Sequence, residues 1–329
     1  MKAPLRILLS AQAAGPLVPA IAQALGDAPH RLLTVDDADA RDADIAFVSR
    51  DVTGLSTKHA TLPDTQRFYD TLEAAPKLQW VHIHSAGADR PVYPRLRAKG
   101  VLVATSSGAN ATIVAHSALA GVLALARHLP QLWAAQREHR WAPLLGSGMP
   151  RDLTGQTAVL VGWGPIGQHL GALLQALGLN LVVVRQRAEP AGPGIDTVTF
   201  DELHTVLPRA DWLLLACPLT ARTRNLVDAA ALAALPAGAR IVNVARGEIV
   251  DELALIETLR AGKLGGAFLD VYAHEPLDPA SPLWDLPNVI ATPHSAGFSD
   301  GNAARVGGMF LDNLRRWRQG EPLHNLATD

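Results

Sequence analysis

The chain holds a single cysteine, Cys217, so no internal disulfide can form. That fits a reducing compartment, and a cytoplasmic location is the expectation. Charge of one sign is also missing: 29 Lys and Arg stand against 31 Asp and Glu, with no basic block among them. Nothing in this balance points to a nucleic-acid partner or an acidic membrane surface. No run reaches the ~18 apolar residues that a membrane span needs, no repeat of about 20 to 50 residues is found, and no tract is of low complexity. What remains is an enzyme-sized chain of 329 residues, about twice an average domain, so two domains are expected.

At the N-terminus Lys2 and Arg6 precede an apolar run, and SAQA imitates a signal-peptidase site. The unbroken core LRILLSA is too short for a leader, and Pro16 and Pro19 interrupt the residues after it. A strand, a loop and a helix explain the stretch better. From there to residue 105 the runs LRILLS, HRLLTV, DIAFVS, LQWVHIHS and VLVATS alternate with helix-like segments, the pattern of a parallel α/β sheet. A long helical segment begins at Ala111, with a turn expected at Leu129 before Pro130. A second series, TAVLVG, LNLVVV, ADWLLLAC, ARIVNVA and GAFLDVY, implies another doubly wound sheet.

In VLVGWGPIGQHLG, the glycines Gly162, Gly164 and Gly167 form a GxGxxG directly after an apolar strand and at the start of a helix. Gly162 permits a tight turn, Gly164 lets backbone approach a pyrophosphate, and Gly167 lets the helix pack on the strand. The helix N-terminus adds N–H donors and positive potential. Within a βαβ unit this arrangement predicts a dinucleotide site. The next strand of such a unit should end in an acid that accepts hydrogen bonds from the ribose of NAD. Arg185 stands there instead, followed by Arg187, with no nearer acid than Glu189. Read alone, either arginine is an ordinary surface charge. Together they predict a clamp for a 2′-phosphate, since a guanidinium fork fits a phosphate dianion. NADP(H) is therefore expected over NAD(H).

Three further segments, NVARGEIVDELAL around Arg246, GAFLDVYAHEPL around Asp270 and Glu275, and NVIATPHSAG around His294, each lie just past an apolar strand. Strand C-termini of an open sheet deliver residues to the ligand crevice. With GWGPIG, CPLTARTRNLV and the terminal PHSAG, these segments resemble the D-isomer-specific 2-hydroxyacid dehydrogenase family. The likeness covers nearly the whole length and is most specific from Asp152 to Gly297. With the strand pattern, it implies an α/β fold of two doubly wound parallel-sheet domains separated by a cleft. Residues 1–103 with 298–329 would form a flavodoxin-like substrate domain, and 104–297 a Rossmann cofactor domain.

The resemblance also assigns roles. Arg246 would hold the carboxylate of a 2-oxo acid and polarise its oxo group, a geometry that lysine does not reproduce. His294 would protonate the oxo oxygen as hydride arrives, and act as base in the reverse direction. Glu275 would hold the imidazole and favour its charged form. Singly, these three read as a helix-end charge, a satisfied loop histidine and a turn residue; at successive strand ends, in the family's order, they read as a unit. Asp270 would receive the nicotinamide carboxamide, helped by backbone at Val244 and Ala245. Pro165 and Ile166 would meet the pyrophosphate, and Cys217, Pro218 and Thr223 would lie along the adenosine side, although Cys217 equally fits a core position. Position 165 departs from the family, where arginine is frequent, which would shift phosphate affinity onto Arg185 and Arg187.

HIHSAGAD resembles the family's substrate loop, with backbone N–H groups of Ser85, Ala86 and Gly87 toward the substrate carboxylate. His84 stands where relatives often carry an apolar residue and would line the pocket, favouring a small polar substrate; simple exposure is its ordinary reading. His82 and His84 alternate at a strand end, which raises a metal alternative, but no third ligand is evident and no metal is expected. His116 replaces a frequent glutamate, which would alter packing beneath the cleft. Trp141 lies in a segment that in similar enzymes reaches the neighbouring subunit, and core packing is as compatible with it. The apolar face of residues 111–135 is the better sign of a homodimer, since it needs cover.

The leading expectation is an NADPH-dependent reductase of small 2-oxo acids, glyoxylate or hydroxypyruvate, giving the D-2-hydroxy acid. An NAD-dependent D-2-hydroxyacid or phosphoglycerate dehydrogenase is the competitor, disfavoured by Arg185 and by the absence of a regulatory extension after residue 329. A formate dehydrogenase suits the three residues less well. A non-enzymatic, cofactor-sensing binding protein is the alternative from another class, since fold alone does not settle function.

Overall fold

The computed structural model describes residues 3–187 and 189–327. It divides into two compact units, Met1–Ala109 with Ser299–Asp329, and Asn110–Phe298. Five strands build the first sheet: β1 (Leu5–Leu8), β2 (His30–Leu33), β3 (Ile45–Val48), β4 (Trp80–Ile83) and β5 (Leu102–Ala104). All its pairs are parallel, in the order β2-β1-β3-β4-β5. That is the flavodoxin-like order, with the topological switch between β1 and β3. The helices Ala11–Leu25 and Asn302–Gln319 cover one face, burying Ile7, Phe47 and Trp80 against Phe310 and Leu314. The chain end returns to this unit, where Leu326 bridges Ala104 antiparallel.

The N-terminal strand and helix take shape as the residues suggest, with one difference. Pro16 and Pro19 lie inside the helix Ala11–Leu25 rather than before it. Ser10 caps this helix, its Oγ accepting from the N–H of Ala13. Ile21, Ala24 and Leu25 bury its inner face and compensate for the backbone bonds that the prolines cannot make.

The second unit holds β6 (Thr157–Val161), β7 (Asn180–Arg185), β8 (Asp196–Thr199), β9 (Trp212–Leu215), β10 (Arg240–Asn243), β11 (Gly266–Leu269) and β12 (Val289–Ala291), in the order β12-β11-β10-β9-β6-β7-β8. This is the Rossmann order with one extra strand, and its switch lies between β6 and β9. A fully parallel sheet must be covered on both faces, and the side-chain alternation does this. Val159, Val161, Leu213, Leu215 and Ile241 face one cluster with the helices Ala229–Ala234 and Glu252–Arg260. Ala158, Leu160, Leu214 and Val242 face another with the helices Ala111–Ala126 and Pro165–Ala176. Each fully buried Val or Leu stabilises the fold by roughly 1.5–3 kcal/mol.

The helix Ala111–Ala126 lies so close to β11 that a side chain at Gly121 would overlap the ring of Phe268. Much of the apolar face expected to need a second subunit is thus covered by the chain's own sheet. The helix is bent by 70° from its successor, Leu129–Arg137. The joint is His128, left-handed at φ 53, one residue before the expected turn. No single described helix is long and apolar enough to cross a membrane.

Candidate functional site

The glycine turn joins β6 to the helix Pro165–Ala176 at the switch point. Gly162 adopts φ +105, and a Cβ there would come within 2.7 Å of backbone at Ala216 and Cys217 past the end of β9. Gly167 packs so tightly that an added Cβ would overlap the carbonyl oxygen of Gly162. Gly164 is different: a Cβ there would meet nothing within 4 Å. Two glycines close the turn, and the third leaves exposed backbone at a helix N-terminus. Pro165 occupies the first helical position, where its fixed φ suits the helix and its missing N–H costs little. Ile166 packs partly against the core. The cradle fits a pyrophosphate on its own geometry.

Arg185 ends β7, one residue beyond Val184, whose carbonyl accepts the Gly162 N–H at 2.8 Å. The arginine pair is thereby joined to the glycine turn through a backbone hydrogen bond. Nη1 of Arg185 donates to the carbonyl of Glu189 at 3.4 Å and Nη2 to its Oε2 at 3.5 Å. Arg187 reaches Oε1 of the same carboxylate at 3.8 Å. Trp163, between the first two glycines, donates its indole N–H to the carbonyl of Ala191 at 3.1 Å, and its ring packs over Gly171. The loop after β7 is therefore tied back to the phosphate turn, a link with no signature in the motif itself.

Arg246, Glu275 and His294 follow β10, β11 and β12 in the same sheet. Nδ1 of His294 lies 2.8 Å from Oε2 of Glu275. Glu275 is 9% exposed. Burial pushes its carboxyl up, but the hydrogen bond and charge of His294, the N–H of Tyr272 and the charge of Arg246 outweigh that, and it stays below the ordinary value. An ionised carboxylate only accepts, so Nδ1 carries the proton and Nε2 is left as the reactive atom. The His294 side chain is 49% exposed. Nη1 of Arg246 donates to the carbonyl of Ala245 at 2.7 Å.

Tyr272, Thr292, Ser295 and Ala296, and an unexpected role of Asp270, hold this pair in place. His294 is left-handed at φ 49, a conformation that costs a non-glycine residue energy and persists only where the surroundings impose it. Its N–H donates to the carbonyls of Asp270 and Thr292. The Asp270 carboxylate accepts from Thr292 Oγ1 at 2.6 Å and from the N–H groups of Ser295 and Ala296. Asp270, expected to receive the nicotinamide carboxamide, is thus already engaged, 2% exposed, and clamps the turn that carries His294. Burial pushes its carboxyl above the ordinary value, against the pull of those donors and of His294. Tyr272 donates its N–H to Glu275 Oε1 and its hydroxyl to Leu269 and Thr292. A Cβ on Gly247 would overlap the backbone of Tyr272 and Ala273, so the turn after Arg246 lies directly against the segment that bears Glu275.

Cys217 is buried at 3% exposure within the core, and burial pushes its thiol up to about 12. This is the packing role, with an inert thiol. Thr223 is 1% exposed and folds the loop back, its hydroxyl donating to the carbonyl of Pro218 at 2.7 Å. Val244 and Ala245 are buried beside β10. Trp141 is 97% exposed, which removes the core reading for it, and His116 is exposed on its helix.

In the first unit, His82 is buried among Phe47, Trp80 and Phe310. Ser106 Oγ donates to the carbonyl of Ile83, so it accepts from His82 Nε2 at 3.0 Å, and Asn313 donates to Nδ1. Both ring nitrogens are satisfied, and burial lowers the imidazole to about 3. His84 lies just beyond β4, half-buried rather than simply exposed. Thr53 gives its hydroxyl proton to the carbonyl of Arg50, so His84 Nε2 donates to it at 2.9 Å and Nδ1 remains an acceptor. Burial, then the charges of Arg50 and Arg90, bring His84 to about 3. The two rings thus have separate partners. Ser85 turns its hydroxyl onto the carbonyl of Gly87 at 2.8 Å, while Ala86 is exposed at the tip.

Comparisons with known proteins give the family. Residues 119–296 match the family described as D-isomer specific 2-hydroxyacid dehydrogenase, NAD binding domain. A D-3-phosphoglycerate dehydrogenase of Mycobacterium tuberculosis is 35% identical over 308 residues, 93% of this chain and 56% of the relative. The chain therefore spans little more than half the length of that protein. A hydroxypyruvate reductase of Thermotoga maritima is 33% identical over 241 residues, 72% of this chain and 77% of the relative. Among solved structures, a D-isomer specific 2-hydroxyacid dehydrogenase from Xanthobacter autotrophicus Py2, in complex with NADPH and MES, superposes with a TM-score of 0.78 at 29% identity, covering 99% of this chain and 98% of that one. The chain belongs to the D-isomer specific 2-hydroxyacid dehydrogenase family.

Proposed function

We propose that the protein is an NADPH-dependent reductase of small 2-oxo acids, glyoxylate or hydroxypyruvate, yielding the D-2-hydroxy acid. The observation that carries this reading is the 2.8 Å bond between His294 Nδ1 and Glu275 Oε2, which leaves Nε2 to exchange a proton with the substrate. The cofactor, when bound, supplies the hydride. His294 gives its Nε2 proton to the oxo oxygen, Glu275 stabilises the imidazolium while it exists, and Arg246 binds the substrate carboxylate through paired donors. Within the first unit, taken by itself, the loop of Ser85, Ala86 and Gly87 is proposed as carboxylate-binding backbone and His84 as a neutral acceptor suited to a hydroxyl-bearing substrate. Val244 and Ala245 would stand at the nicotinamide end, with Asp270 behind them holding the turn that carries His294, and Pro218 and Thr223 at the adenosine end.

The choice of NADPH rests on Arg185 and Arg187 at the end of β7, where an acid would serve NAD. The relative solved with NADPH lends this support. Following nicotinamide absorbance with a panel of 2-oxo acids tests the reading: consumption of NADPH in preference to NADH is expected, and cofactor binding without turnover of any member would point to a sensor instead. A phosphorylated 2-oxo acid as the sole substrate would favour the phosphoglycerate dehydrogenase alternative.

We also propose a homodimer. Trp133, Trp141, Leu145 and Met149 are exposed at 44%, 97%, 73% and 63% along one stretch of chain, an apolar density that favours association. Light scattering should give twice the chain mass, and Trp141→Asp should shift it toward the monomer.

A further inference from the structure

We propose that Glu189 is a built-in competitor for the cofactor's 2′-phosphate and sets how strongly the protein prefers NADPH over NADH. The inference rests on the reading of Arg185 and Arg187 as a phosphate clamp. Each guanidinium addresses a different oxygen of one carboxylate, Arg185 at Oε2 and Arg187 at Oε1. An anion straddled by two forks is the arrangement that the 2′-phosphate would take. Glu189 is therefore an internal anion in that position.

Its place is imposed by the fold. Arg185 is in register with Thr199 of β8. Two residues beyond Glu189, the carbonyl of Ala191 accepts the Trp163 indole N–H, and the N–H of Ala191 donates to Thr197 Oγ1 at 3.0 Å. Arg185 and Ala191, on either side of Glu189, are thus each held in place. The contacts themselves are long, 3.5 and 3.8 Å, and the side chains of Arg187 and Glu189 are 79% and 60% exposed. Pairs of this kind are weak, so a dianion can displace the carboxylate. With NADH bound, Glu189 still neutralises the arginines; with NADPH bound, it is expelled and repels the phosphate from beside it. A carboxylate here tempers the preference that the arginines create.

Calorimetric titration of the full chain with 2′,5′-ADP and 5′-AMP separates the possibilities. The wild type should bind 2′,5′-ADP more tightly than 5′-AMP. Glu189→Gln and Glu189→Ala should each tighten 2′,5′-ADP by roughly five-fold, with 5′-AMP unchanged. If the wild type prefers 2′,5′-ADP but neither variant tightens it, the competitor role is overturned while the clamp stands. Weaker 5′-AMP binding in the variants, with 2′,5′-ADP unchanged, would make Glu189 a ribose acceptor and equally overturn it. No preference in the wild type would remove the clamp, and this inference with it.

Discussion

His294 donates Nδ1–H to Glu275 Oε2 across 2.8 Å, joining two residues that are 19 apart in sequence and lie past neighbouring strands. The carboxylate fixes both the orientation of the ring and the nitrogen that faces outward. Replacing His294 with Ala should cut kcat by about 10² to 10⁴-fold, with the dissociation constant of NADPH changed less than about two-fold. Glu275→Gln keeps an acceptor but loses the charge that stabilises the imidazolium, so kcat should also fall, by a smaller factor. Steady-state rates with fluorescence titration of NADPH check both, and an unaltered kcat in His294→Ala would exclude the histidine as the acid.

Gly247 couples Arg246 to this pair. Because an added methyl would overlap the backbone of Tyr272 and Ala273, Gly247→Ala must push apart the turn after Arg246 and the segment that bears Glu275. Overpacking of this kind costs typically about 1–3 kcal/mol. The variant should lose turnover far more than NADPH affinity, since the glycine turn at 162–167 lies elsewhere on the sheet. Equal losses of both would mean that the damage spreads through the whole unit.

Acid should destabilise the first unit through His82. The free ring titrates near 6.5, and the buried ring near 3. Between those values the unfolded chain binds the proton and the folded chain does not, so stability falls as pH falls through this window, by about 1.4 kcal/mol per pH unit. His82→Gln preserves a donor toward Ser106 and cannot titrate. From pH 7 to pH 5 the wild type should lose about 2 kcal/mol more than the variant in urea unfolding of this unit. Parallel losses would show that the ring is protonated in the folded state.

The strands that are legible in the sequence are those buried on both faces, such as LRILLS and LNLVVV, where continuous apolar runs announce themselves. β8 escapes that reading because an edge strand needs no such run: Asp196–Thr199 is DTVT and no residue of it is fully buried. The placing of Arg246, Glu275 and His294 past strand ends is legible as well, since each follows an apolar run. Their support is not. Asp270 clamps Ser295 and Ala296 from 25 and 26 residues away, and Trp163 holds Ala191 from 28 away. Such contacts depend on which strands become neighbours, and no spacing along the chain encodes that. The paired histidines mislead for a related reason: alternation suggests a common face, but β4 ends at Ile83, between them.

The three glycines of the phosphate turn should separate folding from binding. Gly167→Ala drives a methyl into the carbonyl oxygen of Gly162, and Gly162→Ala adds both a strained φ and a clash with Ala216 and Cys217. Both should lower the melting temperature, Gly162→Ala through strain and overpacking of about 1–3 kcal/mol. Gly164→Ala meets open space, so the roughly 0.4–1 kcal/mol gained from lost chain flexibility should be offset by the cost of alanine at the N-cap, and the melting temperature should change little. If the pyrophosphate lies against that backbone, however, the added methyl occupies the cofactor's place, and NADPH affinity should fall about ten-fold or more while the fold persists. Thermal denaturation without cofactor, paired with NADPH titration, distinguishes these outcomes. A Gly164→Ala protein that binds NADPH normally would place the pyrophosphate away from Gly164.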